Sequence, residues 1–346
     1  MPEIRKSPIS RLLLASALTS SIGSFLFGFD TAVIAGTTSS LREIFSLSES
    51  QIGFTVSSAL IGALLGAAAV AKPCESFGRV RTLFVLAVLY LVSVIGCAWA
   101  WDINSLMIFR FIGGLAVGGS SVVSPMYITE ITPPARRGLL VAISQLNIVA
   151  GILAALVSNY IIADTMGLAP QAGAWRWMFG AEALPSLLFL VSVLLIPESP
   201  RWLAHRGRHQ EALTTLNRLG YENGEEELVR IRESFHGGMT SHESLLHVRF
   251  RKPLLLVFAL AAFNQFDGIN AILYYVTDIF RMAGFAESDA FKQSAVVGAV
   301  NLIFTVVGMI LIDRIGRKLL LLVGSVTFIL SHALAACVFI TGSGGW

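Results

Sequence analysis

Nine stretches of about 20 mostly apolar residues run along this chain, at 12–36, 52–71, 82–101, 106–127, 139–162, 175–196, 254–279, 293–312 and 319–340. The length is the constraint. A helix rising about 1.5 Å per residue crosses about 30 Å of hydrocarbon in about 20 residues. Small residues recur in these runs, as in "IGALLGAAAV" and "FIGGLAVGGSSVVSP", and they let helix backbones approach closely where no hydrophobic force separates helix from lipid. Soluble cores use small residues too, but nine full-length runs are not a soluble pattern. Composition agrees: 14% of the residues are charged, against about a quarter in soluble domains. The expectation is an all-α integral membrane protein.

The charges then orient it. With the N-terminus in the cytoplasm, the inside segments hold Arg5, Lys6 and Arg11, then Lys72, Arg79 and Arg81, then Arg136 and Arg137, then nine basic residues from Arg201 to Lys252, then Arg314, Arg317 and Lys318. The outside loops keep Arg42, Arg281 and Lys292. Lys and Arg accumulate on the cytoplasmic side of membrane proteins. The basic start resembles a signal peptide, but the first run is long, contains Asp30 and lacks a clean small-x-small cleavage site, so it reads as a retained first helix. The expected location is the plasma membrane (the inner membrane of a bacterium), multi-pass, with the N-terminus cytoplasmic.

One long polar stretch, 197–253, separates six spans from three. In it, Ala212, Leu213, Leu216 and Leu219, then Leu228, Ile231 and Phe235, recur at three- and four-residue spacing, the mark of short amphipathic helices. Three parts follow: 1–196 as a six-helix transmembrane bundle, 197–253 as a cytoplasmic linker with short helices, and 254–346 as a partial second bundle of three helices. "ESFGRVRTLFVLAVLYLVS" from Glu75 and "DRIGRKLLLLVGSVTFILS" from Asp313 are both acid-x-x-Gly-Arg turns between apolar spans. The chain is therefore a duplicated unit whose second copy has three spans where the first has six. The histidines of the polar stretch (His205, His209, His236, His242, His247) read as solvated, and the three cysteines show no metal spacing. No metal, cofactor or nucleic acid is expected. No GxxxxGK[ST] loop is present for nucleotide-driven work.

Four motifs in order carry a resemblance: "RFIGGLAVGGSSVVSPMYITEITPPARRG" (110–138), "PESPRWL" (197–203), "NQFDGINAILYY" (264–275) and "DRIGRK" (313–318). Together they resemble the sugar porter family of the major facilitator superfamily, over nearly the whole chain. The resemblance implies the major facilitator fold, twelve helices in two bundles, with alternating access and a monosaccharide site between the bundles. About nine of the twelve transmembrane helices are expected here, the N-terminal bundle complete and the C-terminal one incomplete. It implies a transporter rather than an enzyme: a monomer in the bilayer that carries a hexose or pentose by proton symport. The alternatives are a facilitative uniporter, a sugar-sensing receptor or a non-transporting fragment of the same fold. An intramembrane aspartyl enzyme would need Asp30 and Asp267 to share a proton, and no protease motif accompanies either.

Asp30 and Arg110 are charges inside apolar runs. A carboxylate at the bilayer centre costs about 2.5–3.5 kcal/mol on insertion scales, so it has to be protonated, paired or facing water. An arginine favours the ionised acid and burial favours the neutral one, so a motion that separates the two releases or captures a proton. The resemblance implies this coupling role for both residues; a static buried ion pair is the plain alternative.

Sugar hydroxyls need donors and acceptors together, which amides supply. Gln145, Gln265, Asn270 and Asn301 are amides within apolar runs, and the resemblance matches them to sugar-contacting positions. Interhelical hydrogen bonding is their other use. On an ideal helix Asp267, Asn270 and Tyr274 share a face and Gln265 lies off it; Gly268 offers a place for that helix to break. Asn264 stands where the family has a second glutamine, and Asp267 stands where it has a small or apolar residue. By the internal repeat, Asp267 is nearly equivalent to Asp30.

A third group is Arg79, Glu130, Arg137, Glu198, Arg201, Asp313, Arg314 and Arg317. The plain reading is solvated caps, each pair worth under about 1 kcal/mol. The resemblance implies an ion-pair latch that holds the bundles closed in the outward-facing state. Ser76 and Val80 stand where the repeat has Arg314 and Lys318, which weakens the first half of it.

Overall fold

A computed structural model of the chain describes residues 10–167, 173–236 and 248–341. His242 and His247 lie outside the described residues, as do the side chains of His236, Asp313 and Arg317. The described elements are helices. The first span is α1 (Arg11–Val33) and a 3-10 turn (Ile34–Gly36); α2 (Thr38–Ile44) follows. Then come α3 (Glu49–Ala69), α4 (Ala71–Phe77), α5 (Arg79–Ala98), α6 (Ile103–Ile131), α7 (Pro134–Met166), α8 (Ala174–Gly180) and α9 (Ala183–Val193). The short helices α10 (Pro200–His205), α11 (His209–Arg218) and α12 (Gly224–His236) fill the polar stretch. The chain continues through α13 (Val248–Phe266), α14 (Ile269–Tyr274), α15 (Val276–Met282), α16 (Glu287–Ile315) and α17 (Arg317–Thr341).

Among the described residues, nine helical segments are long and apolar enough to cross a membrane, and each overlaps one of the nine apolar runs. The fourth and fifth extend past their apolar runs, to Ile103–Ile131 and Pro134–Met166. Local chemistry sets those ends. The Asp102 carboxylate accepts from the Ser105 N–H at 2.9 Å, while the Ser105 hydroxyl accepts from the Asp102 N–H at 3.2 Å. This reciprocal cap starts α6, and the Ser105 bonds hold the Asp102 carboxyl below its usual range. Thr132 is extended (φ −104°, ψ 131°) ahead of Pro133, as a residue before proline prefers. Pro134 then opens α7, where its missing N–H costs nothing. Leu64, Leu184 and Phe258 are 70%, 78% and 73% exposed. Large apolar side chains turned outward suit a lipid solvent.

The contacts divide the chain into two units. The first takes in Met1–Phe27, Ser57–Ile148 and Glu182–Ser241. Its core is built by Leu26, Tyr90, Tyr127, Phe189 and their neighbours, all nearly inaccessible. The α3–α6 contact in this unit is made by glycines. A Cβ on Gly62 would strike the Phe111 carbonyl, one on Gly66 the Leu115 carbonyl, one on Gly114 that of Ala59 and one on Gly118 that of Ala63. The two GxxxG pairs thus lay backbone on backbone, in the manner of close-packed membrane helices. Helices α10 to α12 close a smaller core around Trp202, Leu203, Ala212 and Leu216, with Ile231 and Phe235 against it. That core is tied down by the Trp202 indole N–H donating to the Glu75 carbonyl (2.8 Å), Tyr127 to the Pro197 carbonyl (2.6 Å) and Ser10 to the Leu219 carbonyl (2.7 Å).

The second unit takes in Gly28–Val56, Val149–Ala181 and His242–Trp346. Here the buried Asn159 amide donates to the Val33 carbonyl at 3.1 Å, and Gly36 leaves no room for a Cβ against that amide. The Thr38 hydroxyl donates to Asp278 at 2.8 Å, and Thr277 shares a hydrogen bond with Ser294 at 3.1 Å. Gly298 of α16 packs on Leu153 and Leu156 of α7.

Candidate functional site

A charged cluster sits at the basic end of the first unit. Arg79 donates to both oxygens of Glu130, Nε to Oε2 at 2.8 Å and Nη2 to Oε1 at 2.7 Å. That fork-to-carboxylate arrangement is the strong form of an ion pair. The Ser199 hydroxyl adds a third bond to Glu130 Oε2 at 2.6 Å. Glu198 accepts at Oε1 from the backbone N–H groups of Arg79 (2.9 Å) and Ser199 (2.8 Å), and at Oε2 from Val80 (3.1 Å). It therefore caps the first turn of α5 with negative charge, where the helix dipole favours it. Gly78, at φ 95°, lets the carboxylate sit there, because a Cβ would overlap Glu198 Oε2. Burial pushes the Glu198 carboxyl above its usual range, and the three N–H donors and the Arg79 charge oppose the push. The same neighbourhood raises the Cys74 thiol to about 11, chiefly by burial.

Three of the residues expected to form a latch thus come together: Arg79, Glu130 and Glu198. Arg137 and Arg314 are exposed and form no ion pair among the described residues. Arg201 lies over the Phe235 ring at 5.6 Å.

Asp30 is half-buried and belongs to the second unit; Arg110 is 1% exposed and belongs to the first. Glu182, 3% exposed at the start of α9, is the other fully buried charge among the described residues, in the same unit as Arg110. Sequence reasoning missed it. The signal was available: one acid inside the apolar run 175–196.

The amide group is arranged differently from an ideal helix. Gly268 is left-handed (φ 77°, ψ 9°) and breaks the seventh span between α13 and α14. The break ends the shared face of Asp267, Asn270 and Tyr274. Instead Asn270 donates to the Gln265 side-chain carbonyl across it at 3.0 Å. Asp267 lines a cavity of about 510 Å³ with Ile312, Leu321, Gly324, Ser325 and Phe328. Asn264 and Gln265 are exposed, Asn301 is half-buried and Tyr274 is buried. In the first unit Gln145 is exposed. Its neighbour Asn147 donates to the Ser21 hydroxyl at 2.6 Å, so Asn147 and Asn159 serve helix packing.

A family model described as "Sugar (and other) transporter" matches residues 16–345. The chain is 39% identical to the arabinose-proton symporter of Bacillus subtilis, over 94% of this chain and 70% of that protein. It is 36% identical to the D-xylose-proton symporter of Escherichia coli, over 91% of this chain and 70% of that one. Among solved structures, the partially occluded inward-open form of the xylose transporter XylE from Escherichia coli matches with a TM-score of 0.79. The identity is 35%, over 89% of this chain and 74% of that structure.

Proposed function

The chain belongs to the sugar transporter family of the major facilitator superfamily, and on that premise we propose that it carries a monosaccharide, a pentose or hexose, across the membrane together with a proton. Its relatives named for arabinose and xylose support the pentose first. The observation that carries the coupling is a fully buried arginine, Arg110, in a chain that also places Asp30 inside its first span. In this reading Asp30 takes the proton, and Arg110 lowers its affinity for it in one state. Gln145, Gln265, Asn270 and Asn301 bind the sugar, with Tyr274 and Asn264 beside them. The protein acts as a monomer in the plasma membrane with the N-terminus cytoplasmic. Its three parts are the six-helix bundle 1–196, the linker 197–253 and the second bundle from 254.

The test is uptake by the purified chain in proteoliposomes. With an acid-outside pH gradient, xylose or arabinose is expected to accumulate and to leak back when a protonophore is added. Sugar entry that ignores the gradient would make the protein a facilitator; no entry of any pentose or hexose would remove the transport reading. Asp267 is assigned as a second, pH-dependent acceptor for a sugar hydroxyl. Asp267→Asn is accordingly expected to flatten the pH profile of sugar binding, and an unchanged profile would leave this acid silent.

The Arg79–Glu130–Glu198 cluster, which lies wholly within the first unit, is the first bundle's share of the latch. Glu130→Gln keeps the shape but loses the charge-assisted fork, and it is expected to shift the population toward inward-facing states. A cysteine placed on the cytoplasmic side of the path reads the shift as faster labelling by a membrane-impermeant maleimide applied from that side. Labelling at the wild-type rate would count against the latch.

A further inference from the structure

One groove in the first unit is lined by none of the residues proposed for the sugar or for the latch. It is a cavity of about 620 Å³ between the last turns of α3 and the first turns of α5, with Leu115 of α6 beneath. Its origin is the glycine packing. Gly66 draws α3 onto the α6 backbone, and with Ala69 it leaves a wall without bulk facing Val85 and Leu89 of α5. The volume falls within the range of about 300–1,000 Å³ typical of ligand pockets. Phe77 and Val85 at its edge are 60% and 56% exposed. From Arg81 to Leu89 the trough follows α5 for about 12 Å, at about 1.5 Å per residue.

One charge stands in it. Arg81, exposed in the first turn of α5, is the single ionisable group among the residues that line the groove, and it forms no ion pair among the described residues. Its neighbours are committed elsewhere: Arg79 to Glu130, and Arg206 to the carbonyls of Glu75 and Ser76 at 3.0 and 2.8 Å. Glu75, the nearest acid in sequence, lines a different and smaller cavity with Arg201 and His205. Lys72 is exposed in the first turn of α4. An apolar trough open to the hydrocarbon, ending at an uncommitted guanidinium at the membrane's basic edge, matches an amphiphile with an anionic head and a chain. We infer that the groove holds one acyl chain of an anionic glycerophospholipid, with its phosphate on Arg81. The inference goes beyond sugar transport, and its test reads lipid binding without any uptake.

The experiment is native mass spectrometry of the full chain released from nanodiscs of equimolar phosphatidylglycerol and phosphatidylcholine. Retained phosphatidylglycerol is expected to exceed phosphatidylcholine by about five-fold or more, the bias of one basic residue near an anionic lipid surface. Arg81→Gln should bring the ratio to about one, and Arg81→Lys should keep most of the bias. Ala69→Phe, which fills the trough, should release both lipids; Val85→Trp at its rim gives the same readout if Ala69→Phe does not fold. Equal retention by the wild type, or an unaltered ratio in Arg81→Gln, would mean ordinary boundary lipid and overturn the assignment. So would retention that survives filling the trough, or displacement by millimolar glycerol 3-phosphate, since either places the phosphate on Arg81 without a chain in the groove.

Discussion

Asp30→Asn is expected to abolish proton-driven accumulation of sugar while sparing exchange of sugar across the membrane. Asparagine keeps the size and dipole of the side chain but binds no proton in the physiological range, so sugar still moves and the gradient no longer pulls it. The effect is large because the driving force is large. A potential of about 100 mV is worth about 2.3 kcal/mol per charge, which is about 50-fold in concentration at 1.36 kcal/mol per tenfold. The mutant should instead equilibrate sugar to a ratio of about one under the same potential. Counterflow of labelled sugar separates this outcome from a misfolded protein, because exchange requires an intact path. If accumulation persisted in the mutant, the coupling proton would sit elsewhere, and Glu182, buried in the unit that holds Arg110, would be the acid to replace next.

Gly118→Val is expected to be the most damaging single change to the fold. A Cβ at Gly118 overlaps the Ala63 carbonyl of α3, and one at Gly114 overlaps the Ala59 carbonyl. These are backbone atoms, which cannot swing away as a side-chain end can. Overpacking of this kind costs typically about 1–3 kcal/mol and sometimes more. At about 2–4 °C per kcal/mol for a chain of some size, the detergent-solubilised protein should melt several degrees lower or fail to remain monodisperse. Gly308→Ala is the control, since a Cβ there meets nothing within 4 Å, and it should stay within about 0.5 kcal/mol of wild type. Equal melting of the two variants would show that the α3–α6 contact does not need its glycines. Because the groove wall is made by the same close approach, Gly118→Val should also lose the bound lipid.

Much of the molecule was legible before its structure. Each of the nine spans could be read because hydropathy over about 20 residues is a local property. The break at Gly268 was available as a candidate for the same reason, one flexible residue in an apolar run. What the break does to its neighbours was not legible. On an unbroken helix Gln265 points away from Asn270; the left-handed turn at Gly268 brings the two amides to 3.0 Å. The members of the charged cluster were recognisable as types, but the contacts of Glu198 were not. A carboxylate next to a proline reads as a surface charge until the first turn of α5 is seen above it, with the Arg79 and Val80 N–H groups aimed at its oxygens beside that of Ser199.

By itself, then, the sequence determined how many spans there are, which ends are basic and which family motifs the chain carries. Those properties depend on the length, hydropathy and order of neighbouring residues, and a bilayer imposes the rest. Only the tertiary structure decided which glycine meets which carbonyl between α3 and α6, that Glu182 joins Arg110 as a buried charge, and that Arg81 is left over at the mouth of an apolar groove. Each of these depends on how residues far apart in the chain are packed or buried together. In a close-packed interior a shift of even one methylene is felt, so such contacts follow from the packing of whole helices and cannot be read from any one of them.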